Sequence, residues 1–303
     1  MSIKTILVPV SNGTGGFSAI KSAFLVARAF ESHVVGLHLV PPGQVARAED
    51  LLLSRAVAAP LGRDVLQMLE DSEQEECREA RESRRLFLEV SQRAGAAGLE
   101  TGERPGPVST ASGPRCPSAA FKQVVAEGPE VIASFGRVVD LIVLQQPKSD
   151  PGHGLRKTLR AALFHSGRPV LVAPDRPPVS VGRRLLIAWN GSPLSARAAA
   201  ISRQYFRQAD AVGILTVDVG ARQGASAYDL AAYMAWHGVR PSVIEVSRSR
   251  RRLGDVILAE ARNFRADLLV MGAYAQSPFR ESLTQGVTNH VLSHAELPML
   301  MTH

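Results

Sequence analysis

Residues 266–302 read ADLLVMGAYAQSPFRESLTQGVTNHVLSHAELPMLMT. The stretch holds a short apolar run, a turn, a polar loop, a Gly at 286 opening a helical segment, a Pro at 298 that breaks it, and a last apolar run. An earlier stretch repeats its two ends. VDLIVL (residues 139–144) answers ADLLVM (residues 266–271), and LFHSGRPVLVA (residues 163–173) answers LSHAELPMLMT (residues 292–302). His165 and His294 fall at the same repeat position, where a helix dipole favours a histidine in the last turn. An internal repeat decides architecture, so the comparison extends outward from here.

The two halves also open alike. Residues 6–10 (ILVPV) lead into Ser11, Asn12 and Gly13; residues 185–189 (LLIAW) lead into Asn190, Gly191 and Ser192. Each turn precedes an Ala-containing helical segment, residues 18–28 and 194–206. Each of these precedes a second apolar run, residues 33–40 and 211–217. The strand runs are continuously apolar rather than alternating, which is the pattern of parallel strands covered on both faces. The pattern predicts an α/β chain of two tandem doubly wound domains, residues 1–176 and 183–303. A Pro- and Gly-containing linker, residues 175–182, joins them. The first domain carries an insert, residues 41–117. Within it, residues 51–69 and 73–93 have helical composition and residues 102–117 read as irregular. The two domains are expected to pair as a pseudo-twofold dimer within the chain, because each would otherwise leave a sheet edge open. A further homodimer is compatible with this arrangement.

Composition narrows the function. The 303 residues carry a net charge of +7 and are 45% hydrophobic, as expected of a soluble globular protein. No apolar run approaches the ~18 residues of a membrane span, and the N-terminus lacks the shape of a signal peptide. The chain therefore reads as cytoplasmic, with no membrane partner. Two cysteines, Cys77 and Cys116, make neither a disulfide framework nor a zinc motif. The basic run at residues 248–252 has no interleaved aromatics, so it does not signal specific nucleic-acid binding.

In open parallel sheets ligands sit beyond the carboxyl ends of the strands. That places Asn190, Val217, Gly272 and the 286–288 segment at the candidate site. Gly286, Val287 and Thr288 open the last helix, whose exposed N–H groups and dipole suit a phosphate.

The repeat, the AWNGS turn (residues 188–192) and the 267–301 stretch resemble the universal stress protein family, of the UspA-like kind, in its tandem two-domain form. The resemblance covers nearly all of the second half. In the first half it covers the opening strand, turn and helix and residues 124–173. It implies a Rossmann-like five-stranded parallel sheet of order 3-2-1-4-5 in each domain, a stress-response role without catalysis, and an adenine-nucleotide pocket. In nucleotide-binding members a strand-end Gly is followed by two residues, a second Gly, nine residues, a third Gly and a Ser or Thr. Here these positions are Gly272 (after Met271), Ala275, Gln285 and Gly286, with Val287 and Thr288 following. The acid that ends the first strand in such members is Asn190, after Ala188, and the adenine-facing apolar residue is Val217. These residues would hold ATP as cofactor. Mg²⁺ would enter only as its companion, and no residue pattern assigns Asp218 or Asp255 to it.

Three of the matching positions depart from that pattern. Ala275 costs about 1 kcal/mol if its backbone is left-handed. Gln285 puts a side chain where phosphate meets backbone, and Asn190 lacks a carboxylate's charge. The first half departs further: Gln145, Gln146 and Pro147 stand at the opening Gly, and Ser11 at the acid. The sequence expects nucleotide in the second half alone.

Three alternatives compete with that expectation. One is a dimerising stress protein that binds no nucleotide. The second is a small-molecule enzyme with the 41–117 insert as a lid. The third is a dinucleotide enzyme built on residues 12–16, but Ser18 stands where the third glycine belongs and His38, Leu39 and Val40 supply no acid. Ser192 lacks the GxSxG elbow of a hydrolase.

Overall fold

The computed structural model describes residues 2–10, 14–40, 63–98, 117–148, 154–218, 224–274 and 285–303. Both halves open on a strand buried along its middle: β1 (Thr5–Pro9) in the first and β7 (Arg184–Ala188) in the second. From β1 the chain runs through α1 (Thr14–Phe30), β2 (His33–Val40), α2 (Arg63–Arg93), β3 (Ala97–Gly98) and β4 (Ser118–Val125). It continues through α3 (Pro129–Gly136), β5 (Leu141–Gln145), α4 (Gly154–His165) and β6 (Val170–Ala173). After β7 come α5 (Pro193–Ser202), a 3₁₀ turn (Arg203–Tyr205), β8 (Ala211–Val217), α6 (Ala227–Ala235) and β9 (Ser242–Val246). The half ends with α7 (Leu253–Asn263), β10 (Leu268–Gly272), α8 (Gln285–His294) and β11 (Met299–Thr302).

The strands form one sheet of order β3-β4-β2-β1-β5-β6-β11-β10-β7-β8-β9. Within each half all pairings are parallel, and five strands take the order 3-2-1-4-5. The two-residue β3 adds an edge to the first half. The halves meet where β6 runs antiparallel to β11, with Leu171 opposite Leu300. Both strands are buried throughout, so the edge that each half would expose is closed by the other.

Successive strand residues face opposite sides, and both sides are covered. Leu268 and Val270 join the layer under α1, α2, α5 and α6. Leu269 and Met271 join the layer under α3, α4, α7 and α8. This double burial is the physical reason for the continuous apolar runs.

Two sequence details are changed. The helical part of the insert is a single helix, α2, with no break near residue 70, and residues 51–62 lie outside the described residues. No Pro or Gly interrupts residues 63–93. Phe87 anchors the helix in the core with its ring 5.7 Å from both Phe24 and Phe121. Gly36 makes room for it, since a Cβ there would lie 2.7 Å from the Phe87 ring. The linker, moreover, is tied down. Asp267 accepts from the Ser180 hydroxyl at 2.6 Å and from the N–H groups of Gly182, Arg183 and Arg184 at 2.8–3.1 Å. Its repeat equivalent, Asp140, accepts from the N–H groups of Lys4 and Thr5 at 2.8 and 2.9 Å. The matching aspartates of the repeat thus start the first strand of each half.

Candidate functional site

A cavity opens at the carboxyl ends of β7, β8 and β10. Three strands supply its floor: Ala188, Trp189 and Asn190 from β7 and its turn, Leu215 and Val217 from β8, and Met271 and Gly272 from β10. Leu253 and Ile257, one turn apart on α7, form one wall. Val287 and Thr288, in the first turn of α8, form another; Ser192, Leu194 and Ser195 at the start of α5 form the third.

Local chemistry fixes each wall. Asn190 accepts through Oδ1 from Ser192 N–H at 3.1 Å, and this turn sets the chain into α5. Ser192 then caps α5 by accepting from Ser195 N–H at 3.2 Å, with Pro193 in the first helical position. Trp189, 8% exposed, donates from its indole to Ala225 O at 3.0 Å and so stands as a rigid floor.

Gly272 has a reason that the sequence did not disclose. A Cβ there would lie 2.7 Å from Leu194 Cβ and 2.8 Å from the Leu194 carbonyl carbon. The glycine is required by the close approach of α5, and the cavity exists because that approach is possible. Gly286 is the reverse case: it is exposed, does not line the cavity, and a Cβ there would meet open space.

Two residues at the strand ends hold left-handed backbones without being glycine: Asp218 at φ 56° and Tyr274 at φ 56°. Such conformations cost on the order of 1 kcal/mol or more and persist where the surroundings enforce them. Asp218 accepts from Arg248 N–H at 3.0 Å and pairs with the Arg248 guanidinium at 2.9 Å. Tyr274 N lies 3.4 Å from Thr288 Oγ1, and its hydroxyl lies 3.5 Å from Asn289 Oδ1. Burial raises the Tyr274 phenol pKa, while the positive charges of Arg160 and Arg156 act the other way.

Of the residues singled out in the sequence, the structure gathers Ala188, Asn190, Val217, Met271, Gly272, Val287 and Thr288 around one cavity. Gln285 is the first residue of α8, its side chain lies outside the described residues, and so does all of Ala275. The sequence reading missed Trp189, Leu194, Ser195, Leu215, Leu253 and Ile257. The apolar i, i+4 pair Leu253 and Ile257, just after the basic run, was the available signal. The basic run itself is partly spent: Arg248 is bound to Asp218. Asp255 is likewise engaged, with His290 Nε2 at 2.6 Å.

The described lining is apolar, with an amide and three hydroxyls for orientation. It offers hydrogen bonds and a slot for a flat group; none of the described lining residues is a carboxylate, histidine or cysteine. Among the described residues there is no cluster of metal-ligating side chains, and no described helix is long and apolar enough to cross a membrane. The side chains of α2 described in the structure pack on the layer of Phe24 and Phe121 and contribute nothing to the lining.

The first half spends the corresponding loop differently. Gln146, 2% exposed, donates from Nε2 to Leu292 O at 2.5 Å and to Ala295 O at 3.1 Å. The position that matches Ala273, one residue past the end of β10, is thus a joint between the halves.

Comparison with known proteins agrees with this geometry. The family model described as "Universal stress protein family" matches residues 182–303. Among solved structures, a universal stress protein from Archaeoglobus fulgidus superposes with a TM-score of 0.65 at 15% identity, covering 99% of this chain and 96% of that one. A functionally unknown protein from Pseudomonas aeruginosa superposes with a TM-score of 0.55 at 16% identity, covering 99% and 92%. At these identities the likeness is one of fold, and it runs the length of the chain. No curated protein matches the sequence. Residues 182–303 thus match the universal stress protein family model, and they follow an N-terminal half of the same sheet topology.

Proposed function

We propose that the protein is a non-enzymatic stress-response protein of the cytoplasm that binds an adenine nucleotide in its C-terminal half. The observation that carries this reading is the cavity itself. An apolar slot at the carboxyl ends of parallel strands is bounded on one side by the Asn190 turn and on the other by the first turn of α8. The base would lie against Ala188 and Val217. The ribose would meet the Asn190 amide. The phosphates would lie toward Thr288 and the N–H groups that open α8, where Gly286 leaves the backbone open to approach. Gln285 and Ala275 belong to the same loop by their place in the motif. Mg²⁺ would come with the phosphates; the nearby carboxylates Asp218 and Asp255 already serve Arg248 and His290.

The first half acts in this reading as a permanent partner, because Gln146 is committed to the joint. Titration calorimetry of the full chain with ATP tests the proposal. Saturable binding at micromolar to sub-millimolar ATP is expected, and a flat titration to millimolar concentration favours the pairing-only alternative.

A further inference from the structure

The outward face of α6 is apolar and aromatic. From Ala227 to Trp236 the chain carries a single charged residue, Asp229. Ala227, Leu230 and Met234 turn inward and are buried. Tyr228, Ala232 and Trp236, spaced i, i+4 and i+8, turn outward and are exposed. Trp236 is 90% exposed, and Tyr233 stands exposed beside it. A helix that is apolar on both faces is ordinarily covered on both. A cluster of exposed aromatics marks an interaction surface. Helix α6 packs on β8 and β9 at the open end of the sheet, away from the β6–β11 joint. Its outward face is therefore left free by the pairing of the two halves.

The two ends of this face differ in charge. Asp229 stands at the N-terminal end, where its Oδ2 accepts from the Ser226 N–H and hydroxyl at 2.8 and 2.7 Å. Cations gather at the C-terminal end. The Arg203 guanidinium lies 5.9 Å from the Tyr233 ring centre, and its Nη1 lies 3.0 Å from His237 Nε2. Arg203, Arg207 and His237 line a groove beside that end, and Arg240 follows the turn at Gly238. Among the described residues no carboxylate is in ion-pair contact with Arg203, Arg207 or Arg240. The adjoining residues 219–223 contain no Asp or Glu.

Such a face is complementary to itself. Tyr228 and Trp236 lie four positions either side of Ala232, so two copies of α6 set antiparallel about Ala232 bring the Trp236 of each over the Tyr228 of the other. The small Ala232 and Ala235 let the backbones approach, and the aromatics fill the space beyond them. The same arrangement carries the acidic end of each helix to the cationic end of the other and opposes the two helix dipoles. Parallel packing would set like ends together, and an anionic membrane or nucleic-acid strand would meet cations at one end only. We propose that the outward face of α6 is a homodimer interface, in which two copies of the chain pack antiparallel about Ala232. One helix face per copy is smaller than the roughly 1,600 Å² of a standard interface, so the dimer is reversible, with dissociation in the micromolar range. The proposal stands independently of the nucleotide site.

The test is sedimentation velocity of the full-length protein over micromolar to sub-millimolar concentrations, with tryptophan fluorescence as a second readout. The chain has two tryptophans and Trp189 is buried, so the concentration-dependent part of the emission reports Trp236. A monomer–dimer equilibrium is expected, with the emission shifting to the blue and becoming protected from acrylamide as the dimer forms. Trp236→Ala, which removes a central aromatic, and Ala232→Arg, which sets like charges together at the two-fold axis, should each weaken the dimer by about tenfold or more. Both positions are exposed and arginine is a good helix former, and circular dichroism melts check that the variants are folded. Val138→Ala, at an exposed apolar residue of the first half, should leave the dimer unchanged. A monomer at every concentration overturns the assignment, whether Trp236 is open to quencher or already shielded by another part of the chain. So does a dimer that neither α6 substitution weakens. A Trp236 emission shift when anionic vesicles or a single-stranded oligonucleotide are added to a monomeric protein gives the face to those partners instead.

Discussion

The Gln146 side-chain amide, just past β5 in the first half, donates to the carbonyls of Leu292, in the last turn of α8 in the second, and of Ala295, just past it. Carbonyls at a helix C-terminus lack intrahelical donors, so one residue satisfies two buried acceptors across the joint. Gln146→Leu should cost about 1–3 kcal/mol, because both acceptors lose their partner in a dry environment. Chemical denaturation measures this. Gln145→Leu, which loses a partly exposed bond to Asp175, should cost less.

The strand joint predicts a larger effect. Leu300 is fully buried and lies opposite Leu171 in the antiparallel pair. Leu300→Ala should destabilise by about 2–5 kcal/mol. A single cooperative unfolding transition in the wild type that splits into two in the variant would show that the β6–β11 pair couples the halves.

Gly272 and Gly286 are expected to part company under the same substitution. Gly272→Ala drives a Cβ into the Leu194 backbone and should cost about 1–3 kcal/mol, with displacement of α5 from the cavity. Gly286→Ala meets nothing within 4 Å and lies in a helix, so it should be neutral or stabilise by a few tenths of a kcal/mol. Thermal melts of the two variants side by side make the comparison. Equal destabilisation would contradict the steric account of Gly272.

Acid should weaken the first half through His33. Burial lowers its pKa below the ordinary 6.5, and its Nδ1 lies 2.9 Å from Ser118 Oγ on the neighbouring strand. The unfolded chain then binds the proton more readily than the folded one. The contribution of His33 to stability is complete above the unfolded pKa and declines as pH falls from about 6.5 toward the folded value. Stability curves measured between pH 8 and pH 5 should show this slope, and His33→Gln should flatten it.

Much of the architecture was legible because it is written twice. The paired runs at residues 139–144 and 266–271 are strands with the same aspartate before them, and both Pro169 and Pro298 precede a closing strand. The continuous apolar runs followed from burial on two faces, which is a local signal. What was not legible depended on neighbours remote in sequence. Gly272 stood in the sequence as the strand-end glycine of a nucleotide motif; the residue that demands it, Leu194, lies 78 positions earlier and is met only in the fold. Nothing in the basic run at residues 248–252 told that Arg248 is held by Asp218, left-handed just past β8 and thirty positions earlier. Gln146 looked like a failed glycine and is a joint, because its partners are at the far end of the other half.

The central claim is that the cavity between the Asn190 turn and the first turn of α8 holds an adenine nucleotide. Thr288 is 4% exposed and lines that cavity. The most direct measurement is ATP titration of the wild type beside the Thr288→Val variant, which keeps the shape and removes the hydroxyl. The account predicts saturable binding by the wild type and a loss of roughly fivefold or more in the variant, as for one hydrogen bond to a charged group. ATP binding that the variant leaves untouched, or none to the wild type at millimolar ATP, would contradict it.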